Sequence, residues 1–301
     1  MRKICIISAP SNLGLTPPAP GRDPGTVRAP LALFKAGLLQ RLRYKVYHGL
    51  KPADYQPRIT RRTRVRNLER LRQFSRRLAR HVTENAPDYF PLVIGGDSSL
   101  LIGALLGLKR VGRCGLIYLS GGADFLTSET STSKAAAGMT LALATGYGYD
   151  KLTNLEGQRP YVRDSNAVVF GNRDMMDRES YLGNLIFETD VSILTLDYAR
   201  EIGLEMASML AVELLKQRGV DGFWLHFDAS VLDCEVMPAV AAPLPGGMSY
   251  AEMITVLRVF LDSGLAVGMD ITGFDPDRVP DDEFTRLYVD ALIEALQPAE
   301  E

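Results

Sequence analysis

The sequence predicts an α/β fold in which a parallel sheet is covered by helices on both faces. Two observations carry this. Short runs rich in β-branched and aromatic residues alternate with longer amphipathic stretches along the whole chain, the pattern of repeated strand–helix units. The strand-like runs are apolar throughout, as strands buried on both faces are. The chain has 301 residues, a net charge of −2, 46% hydrophobic and 23% charged residues, an ordinary globular composition. No linker or low-complexity segment divides it, so residues 1–301 read as one domain.

Taken in order, residues 4–7 form a first strand, 29–42 a helix and 44–47 a short second strand. A long helical segment covers 63–84. Residues 90–94 are a third strand ending in Gly95-Gly96, followed by a helix over 100–108. Residues 115–119 are a fourth strand and 134–144 a further helix. Later strands fall at 167–170, 193–194, 222–227 and 265–271, and later helices at 204–218, 250–262 and 282–296. The Pro- and Gly-rich stretch 14–28 reads as a long loop. In such sheets the functional residues lie beyond the C-terminal strand ends. That rim comprises residues 95–99, 120–125, 171–174, 228–233 and 272–277, with loop 14–28 beside it.

Several function classes are excluded at this stage. No apolar run approaches the ~20 residues that cross a membrane, and Met1-Arg2-Lys3 leads into a strand with no signal-peptide core, so the expected location is cytoplasmic. Three scattered cysteines make neither a disulfide framework nor a zinc cluster. The near-neutral charge disfavours a dedicated nucleic-acid binder. There are only three histidines, His48, His81 and His226, so a histidine-rich metal site must use these or fail.

Three strand ends carry recognisable text: Gly95-Gly96-Asp97-Ser98-Ser99; Ser120-Gly121-Gly122-Ala123-Asp124-Phe125, continuing to Thr130-Ser131-Thr132-Ser133; and His226-Phe227-Asp228-Ala229-Ser230-Val231-Leu232-Asp233. In order and spacing they resemble the ureohydrolase family of arginase, agmatinase and formiminoglutamase, over essentially the whole chain. The resemblance implies a three-layer αβα sandwich with a mainly parallel, about eight-stranded sheet, assembled as a homo-oligomer, a trimer or hexamer. In that family the motifs read Gly-Gly-Asp-His-Ser, Asp-Ala-His-x-Asp and Asp-x-Asp, and they hold two manganese ions that activate a bridging water.

This sequence departs from the pattern where the chemistry lies. Ser98, Ser120, Gly122 and Ser230 replace strong ligands, and only Asp124 and Asp228 are retained. Ala137 stands where the family has a further histidine, and Gly273 where it has a glutamate. A lone hydroxyl is a poor divalent ligand, and two carboxylates cannot neutralise two divalent ions. The expectation is therefore no metal and no cofactor. The substitutions also make sense without metal. Two like charges ~4 Å apart cost about 4 kcal/mol at an effective dielectric of 20, and losing aspartates at 120 and 230 relieves that. Asp124 and Asp228 are then separated, share a proton or are met by a cation such as Lys134 or Arg173, although the Gly-x-Arg-Asp stretch that holds Arg173 also reads as a structural turn.

Ser131 and Ser133 match positions that hold the substrate carboxylate in arginase, although turn-forming hydroxyls explain them equally well. Period-two alternation puts His226 on the same strand face as Asp228 and Ser230 but one step deeper, so it reads as a hydrogen-bonded core histidine. Trp224 reads as core. Ten arginines fall between Arg58 and Arg80 with one acidic residue, Glu69. Val65, Leu68, Leu71, Phe74, Leu78 and Val82 form an apolar stripe at helical spacing, which describes a helix on the outside of the sheet. A protein partner on its basic face is the alternative, with the acidic C-terminal stretch as one complement.

Three functional readings follow. The first is a pseudoenzyme with a scaffold, regulatory or small-molecule-binding role. The second is a metal-independent enzyme using Asp124 and Asp228 on a guanidino or amino-acid-derived compound. The third is a residual hydrolase holding a single ion.

Overall fold

The computed structural model describes residues 2–59, 64–173, 185–279 and 281–297. Asp174, two of the ten arginines (Arg61 and Arg62) and the end of the acidic C-terminal stretch (Glu300 and Glu301) lie outside them. The strands are β1 (Ile4–Ala9), β2 (Tyr44–Gly49), β3 (Phe90–Gly95), β4 (Cys114–Leu119), β5 (Ala167–Asn172), β6 (Ser192–Thr195), β7 (Gly222–Asp228) and β8 (Ala266–Thr272). They form one sheet in the order β2-β1-β3-β8-β7-β4-β5-β6. Every pairing between them is parallel. The sheet class and strand count expected from the sequence are both observed.

Alternation along each strand sends side chains to two separate cores. Ile4 and Ile6 of β1 join one, and Cys5, Ile7 and Ala9 the other. Helices Ala29–Lys35, Leu204–Gln217, Tyr250–Asp262 and Asp282–Leu296 cover the first face. Helices Leu68–Asn85, Leu100–Lys109 and Thr140–Ala144 cover the second. The predicted stripe is buried throughout: Val65, Leu68, Leu71, Phe74, Leu78 and Val82 are all at most 3% exposed.

Among the helices that differ from expectation, three do so for a clear local reason. The helix expected over 29–42 is broken by Gly37 at φ 100, which separates Ala29–Lys35 from Leu38–Arg41. The helix expected over 134–144 is only Thr140–Ala144 after a 3₁₀ turn at Ala137–Met139. There Lys134 is left-handed (φ 56), and its N–H is taken by the Ser131 hydroxyl at 3.0 Å. A helix not foreseen, Leu196–Ile202, starts where the Thr195 hydroxyl accepts the Tyr198 N–H, and Gly203 at φ 91 separates it from the next helix.

The arginine-rich segment is tied down within the chain. Arg72 pairs with Glu69 at 2.8 Å and Arg64 with Glu129 at 3.2 Å. Arg70 and Arg76 approach Asp54 and Glu156, each at 3.9 Å. Arg66 donates to the carbonyls of Pro57 and Ser133, and Arg77 lies over the Phe74 ring. The acidic complements therefore come from these neighbours. Asp281 of the C-terminal stretch instead caps its own helix, accepting from Glu283 and Phe284 N–H.

The Leu100–Lys109 helix is apolar all round, and its glycines let it approach the arginine-bearing helix closely. A Cβ added at Gly107 would stand 2.5 Å from the Ala79 carbonyl and 2.8 Å from the Val82 Cβ. Overpacking of this kind costs about 1–3 kcal/mol, more than the ~1 kcal/mol that alanine gains in helix propensity. Gly107→Ala is therefore expected to lower unfolding stability in urea, and an unchanged or raised midpoint would contradict the close packing.

Candidate functional site

The four central strands β3, β8, β7 and β4 end side by side, and the residues after them enclose a cavity of about 200 Å³. Its wall includes Ser98, Ser120, Gly122, Asp124, Asp228 and Ser230, all six expected rim positions, with Ala137, Arg173 and Gly273. Loop 14–28 contributes Leu15 and Thr26, and Val240, Ala241, Ala242 and Leu244 form an apolar side.

Asp97 holds the rim together. Its carboxylate is 1% exposed and accepts from Gly14 N–H (3.1 Å), Ser99 N–H (3.0 Å) and the Ser11 hydroxyl (2.7 Å), which ties β3 to the first loop. The remaining hydroxyls satisfy one another. Ser120 and Ser230 oxygens are 3.3 Å apart, and Ser98 lies 3.3 Å from the Thr140 hydroxyl. Asp228 accepts the Ser230 N–H at 2.9 Å and the Thr272 hydroxyl at 3.0 Å. A Cβ at Gly273, whose φ is 87, would stand 2.5 Å from an Asp228 oxygen, so the carboxylate uses space that a side chain at 273 would claim.

Asp124 is left-handed at φ 46, and its Oδ2 accepts the Tyr118 hydroxyl at 2.5 Å. Tyr118 belongs to a buried polar cluster under the cavity floor, on the second-core face. Its ring stacks on His226 at 4.5 Å between centroids. His226 Nδ1 is 2.5 Å from Asp270 Oδ2, and the Trp224 indole N–H donates to the other Asp270 oxygen. Tyr118, His226, Trp224 and Asp270 all have no solvent exposure. Among the described residues His226 Nε2 has no hydrogen-bond partner. His226 is thus the bonded core histidine expected. Trp224 is core as expected, and it is also a donor.

Burial works against a charged His226. The charge and hydrogen bond of Asp270 outweigh it, with Asp228 and Asp124 adding, so its pKa is raised. Burial, with Asp124 beside it, pushes the Tyr118 hydroxyl well above its ordinary value, so it remains the donor to Asp124.

The structure separates the two candidate cations. The Lys134 ammonium donates to the Ser128 carbonyl at 2.6 Å and does not line the cavity. Arg173 does line it, and its guanidinium donates to the carbonyls of Val231, Leu232 and Leu244 at 3.1–3.2 Å. Ser131 and Ser133 lie outside the cavity wall. Their hydroxyls are 3.2 Å apart and accept the N–H groups of Lys134 and Ala135, the turn-forming role weighed above.

The family's dimanganese centre can be tested against this donor set. Three hydroxyls, one glycine and two carboxylates already bonded within the protein do not suit two hard divalent ions. Among the described residues no three of His, Cys, Asp and Glu gather as a metal-binding group. Sequence reasoning did not find Tyr118 and Asp270, and it placed Thr272 on the rim without assigning it a partner. The available signals were an aspartate inside an otherwise apolar strand and a tyrosine two residues before Ser120.

A model described as the Arginase family matches residues 2–297. An arginase of Bacillus caldovelox is 30% identical over 284 residues, 92% of each chain. One of Bacillus subtilis is 29% identical over 280 residues, 91% of each. The solved arginase of Bacillus caldovelox superposes with a TM-score of 0.88 at 27% identity over the whole of both chains. The formimidoylglutamase of Bacillus subtilis, at 18% identity and a TM-score of 0.73, shares the fold.

The raised pKa of His226 has a definite sign for stability. A group whose folded pKa lies above its unfolded value stabilises fully below the unfolded pKa, and the contribution is lost as pH rises through the folded pKa. The stability advantage of the native chain over His226→Asn is therefore expected to shrink as pH rises from about 6.5, read from urea unfolding at several pH values. An advantage that grows with pH would show that the imidazole is buried neutral.

Proposed function

The chain belongs to the arginase family, and from that premise we propose that it is a pseudoenzyme of the family. On this reading the cavity at the strand ends serves small-molecule binding or regulation and not guanidino hydrolysis by two manganese ions. The donor set carries the reading. At six positions where the family places strong ligands, this chain offers Ser98, Ser120, Gly122 and Ser230 with only Asp124 and Asp228. Asp124 is engaged by the Tyr118 hydroxyl, and Asp228 by the Thr272 hydroxyl and a backbone N–H.

The hydrogen bonds support the same reading. In place of six metal-facing groups, the Ser120–Ser230 contact and the Asp228 capping bond make a wall that is closed upon itself. Arg173 bridges the carbonyls of Val231 and Leu244 at the cavity wall, and Gly121 gives it room, because a Cβ there would stand 2.6 Å from the guanidinium. With that reading go three family-level expectations: a single ureohydrolase-like domain, self-association as a homo-oligomer and a cytoplasmic location. Among the described residues no helix is long and apolar enough to cross a membrane.

A second reading is favoured by one observation. Tyr118 and His226, both with raised pKa, lie directly beneath a cavity-lining carboxylate. Such a cluster is a resource for acid–base chemistry. A metal-independent enzyme of the same superfamily, acting on a guanidino or amino-acid-derived compound through Asp124 and Asp228, would use it.

Assays with arginine, agmatine and formiminoglutamate, with and without added manganese or nickel, separate these readings. The pseudoenzyme is expected to release no urea and no formamide under any condition. Turnover insensitive to chelator and abolished by Asp124→Asn or Asp228→Asn would replace it with the second reading. Turnover that chelator removes would replace both with a residual single-ion hydrolase.

A further inference from the structure

A second cavity, of about 300 Å³, shares no residue with the strand-end cavity. It lies at the other end of the sheet, where the parallel neighbours β4 and β5 begin. Lys109 ends the Leu100–Lys109 helix, Arg113 precedes Cys114 at the start of β4, and Arg163 and Asn166 precede β5. The six residues of β4, at about 3.3 Å each, stand between the two cavities.

The charge in this second cavity has one sign. Lys109, Arg113 and Arg163 line it, and among the described residues no carboxylate does. Nearby cations outside the wall have acid partners: Arg110 pairs with Glu156 at 2.6 Å, and Arg159 approaches Asp150 at 3.8 Å. The three lining cations form no ion pair among the described residues. The adjoining acids are engaged by neutral donors. Asp221 accepts the Arg113 backbone N–H at 3.2 Å, and Asp164 accepts the Tyr147 hydroxyl at 2.7 Å and the Ser165 N–H at 2.8 Å. Burial pushes the Cys114 thiol up to about 11 and raises the Tyr161 hydroxyl as well, so neither lining group adds negative charge at neutral pH.

Donors are likewise in excess. The Lys109 ammonium gives one N–H to the Pro160 carbonyl at 2.6 Å, and an ammonium has three. Burial, with the charge of Arg163 facing it, lowers the Lys109 pKa. Asn166 is only 6% exposed, and its side-chain amide has no hydrogen-bond partner among the described residues. A buried amide left unsatisfied beside unpaired cations points to an absent acceptor.

We propose that this cavity binds a phosphate group, either as inorganic phosphate or as the phosphoryl end of a small phosphomonoester. The guanidinium forks of Arg113 and Arg163 suit pairs of phosphate oxygens, and Lys109 and Asn166 supply further donors. Leu105 and Leu108 give an apolar side for the body of a monoester. The inference does not depend on how the strand-end cavity is read.

Isothermal titration calorimetry on the intact chain at constant ionic strength, with inorganic phosphate and glycerol 3-phosphate as probes, tests the site. Saturable binding at one site per chain is expected. Tighter binding of glycerol 3-phosphate would assign the site to a phosphomonoester, and equal or tighter binding of inorganic phosphate to the free ion; both orders support the proposal. Arg163→Gln and, separately, Arg113→Gln are each expected to weaken binding about tenfold, because each removes charged hydrogen bonds. Both arginines are exposed, and circular dichroism reports whether each variant keeps the fold. Arg110→Gln removes the same charge beside Lys109 but outside the cavity wall, and is expected to change affinity less than about twofold, since an exposed charge acts through screening solvent. No saturable binding in the millimolar range, no loss in either lining variant, an equal loss in Arg110→Gln, or tighter binding of succinate than of both phosphates would overturn the site.

Discussion

A carboxylate with no solvent exposure must be met by donors, because an unpaired charge in the interior costs several kcal/mol. Asp270 lies in the middle of a parallel sheet, and its two oxygens are taken by Trp224 and His226 of the neighbouring strand. The rest of the floor follows from this bond. It fixes the His226 ring, on which Tyr118 stacks, and Tyr118 in turn holds Asp124 from below. A polar chain therefore runs from the heart of the sheet to the wall of the cavity, through side chains locked by strand geometry.

The same chain bears on charge. Asp124 and Asp228 line a cavity whose wall also carries Asp97 and Arg173. Without divalent ions, negative groups so placed require local compensation. Asp97 finds it in two backbone N–H groups and a serine hydroxyl, Asp228 in an N–H and a threonine hydroxyl, and Asp124 in the tyrosine. Donors of this kind meet the hydrogen-bonding needs of buried carboxylates without a metal. The serines at 120 and 230 complete this by bonding each other where aspartates would repel.

Much of this was legible before any coordinates. The six inner strands are largely buried on both faces and read as continuous apolar runs, while the more exposed edge strands β2 and β6 were read from short β-branched and aromatic runs; the strand ends marked the cavity because a parallel sheet collects its chemistry there. The arginine-rich helix was legible through its apolar stripe. Helix boundaries were less so, because Gly37 takes a left-handed conformation that ends a helix where periodicity would continue it, and the short helix before Gly203 carried no sufficient periodic signal. The fates of Asp124 and Asp228 were not legible. Their partners, Tyr118 and Thr272, come from a position six residues earlier and from another strand, and no pattern in one sequence reveals which strands will be neighbours. Arg173 was placed at the rim correctly, but its carbonyl partners depend on the path of the loop after β7.

The most direct test of the account is a manganese count. The intact chain would be incubated with excess manganese, freed of unbound ions by desalting and measured by elemental analysis. The account expects manganese at background per chain. One or two retained ions per chain would contradict it, because that would mean that two internally bonded carboxylates and a set of hydroxyls still hold the metal of the family.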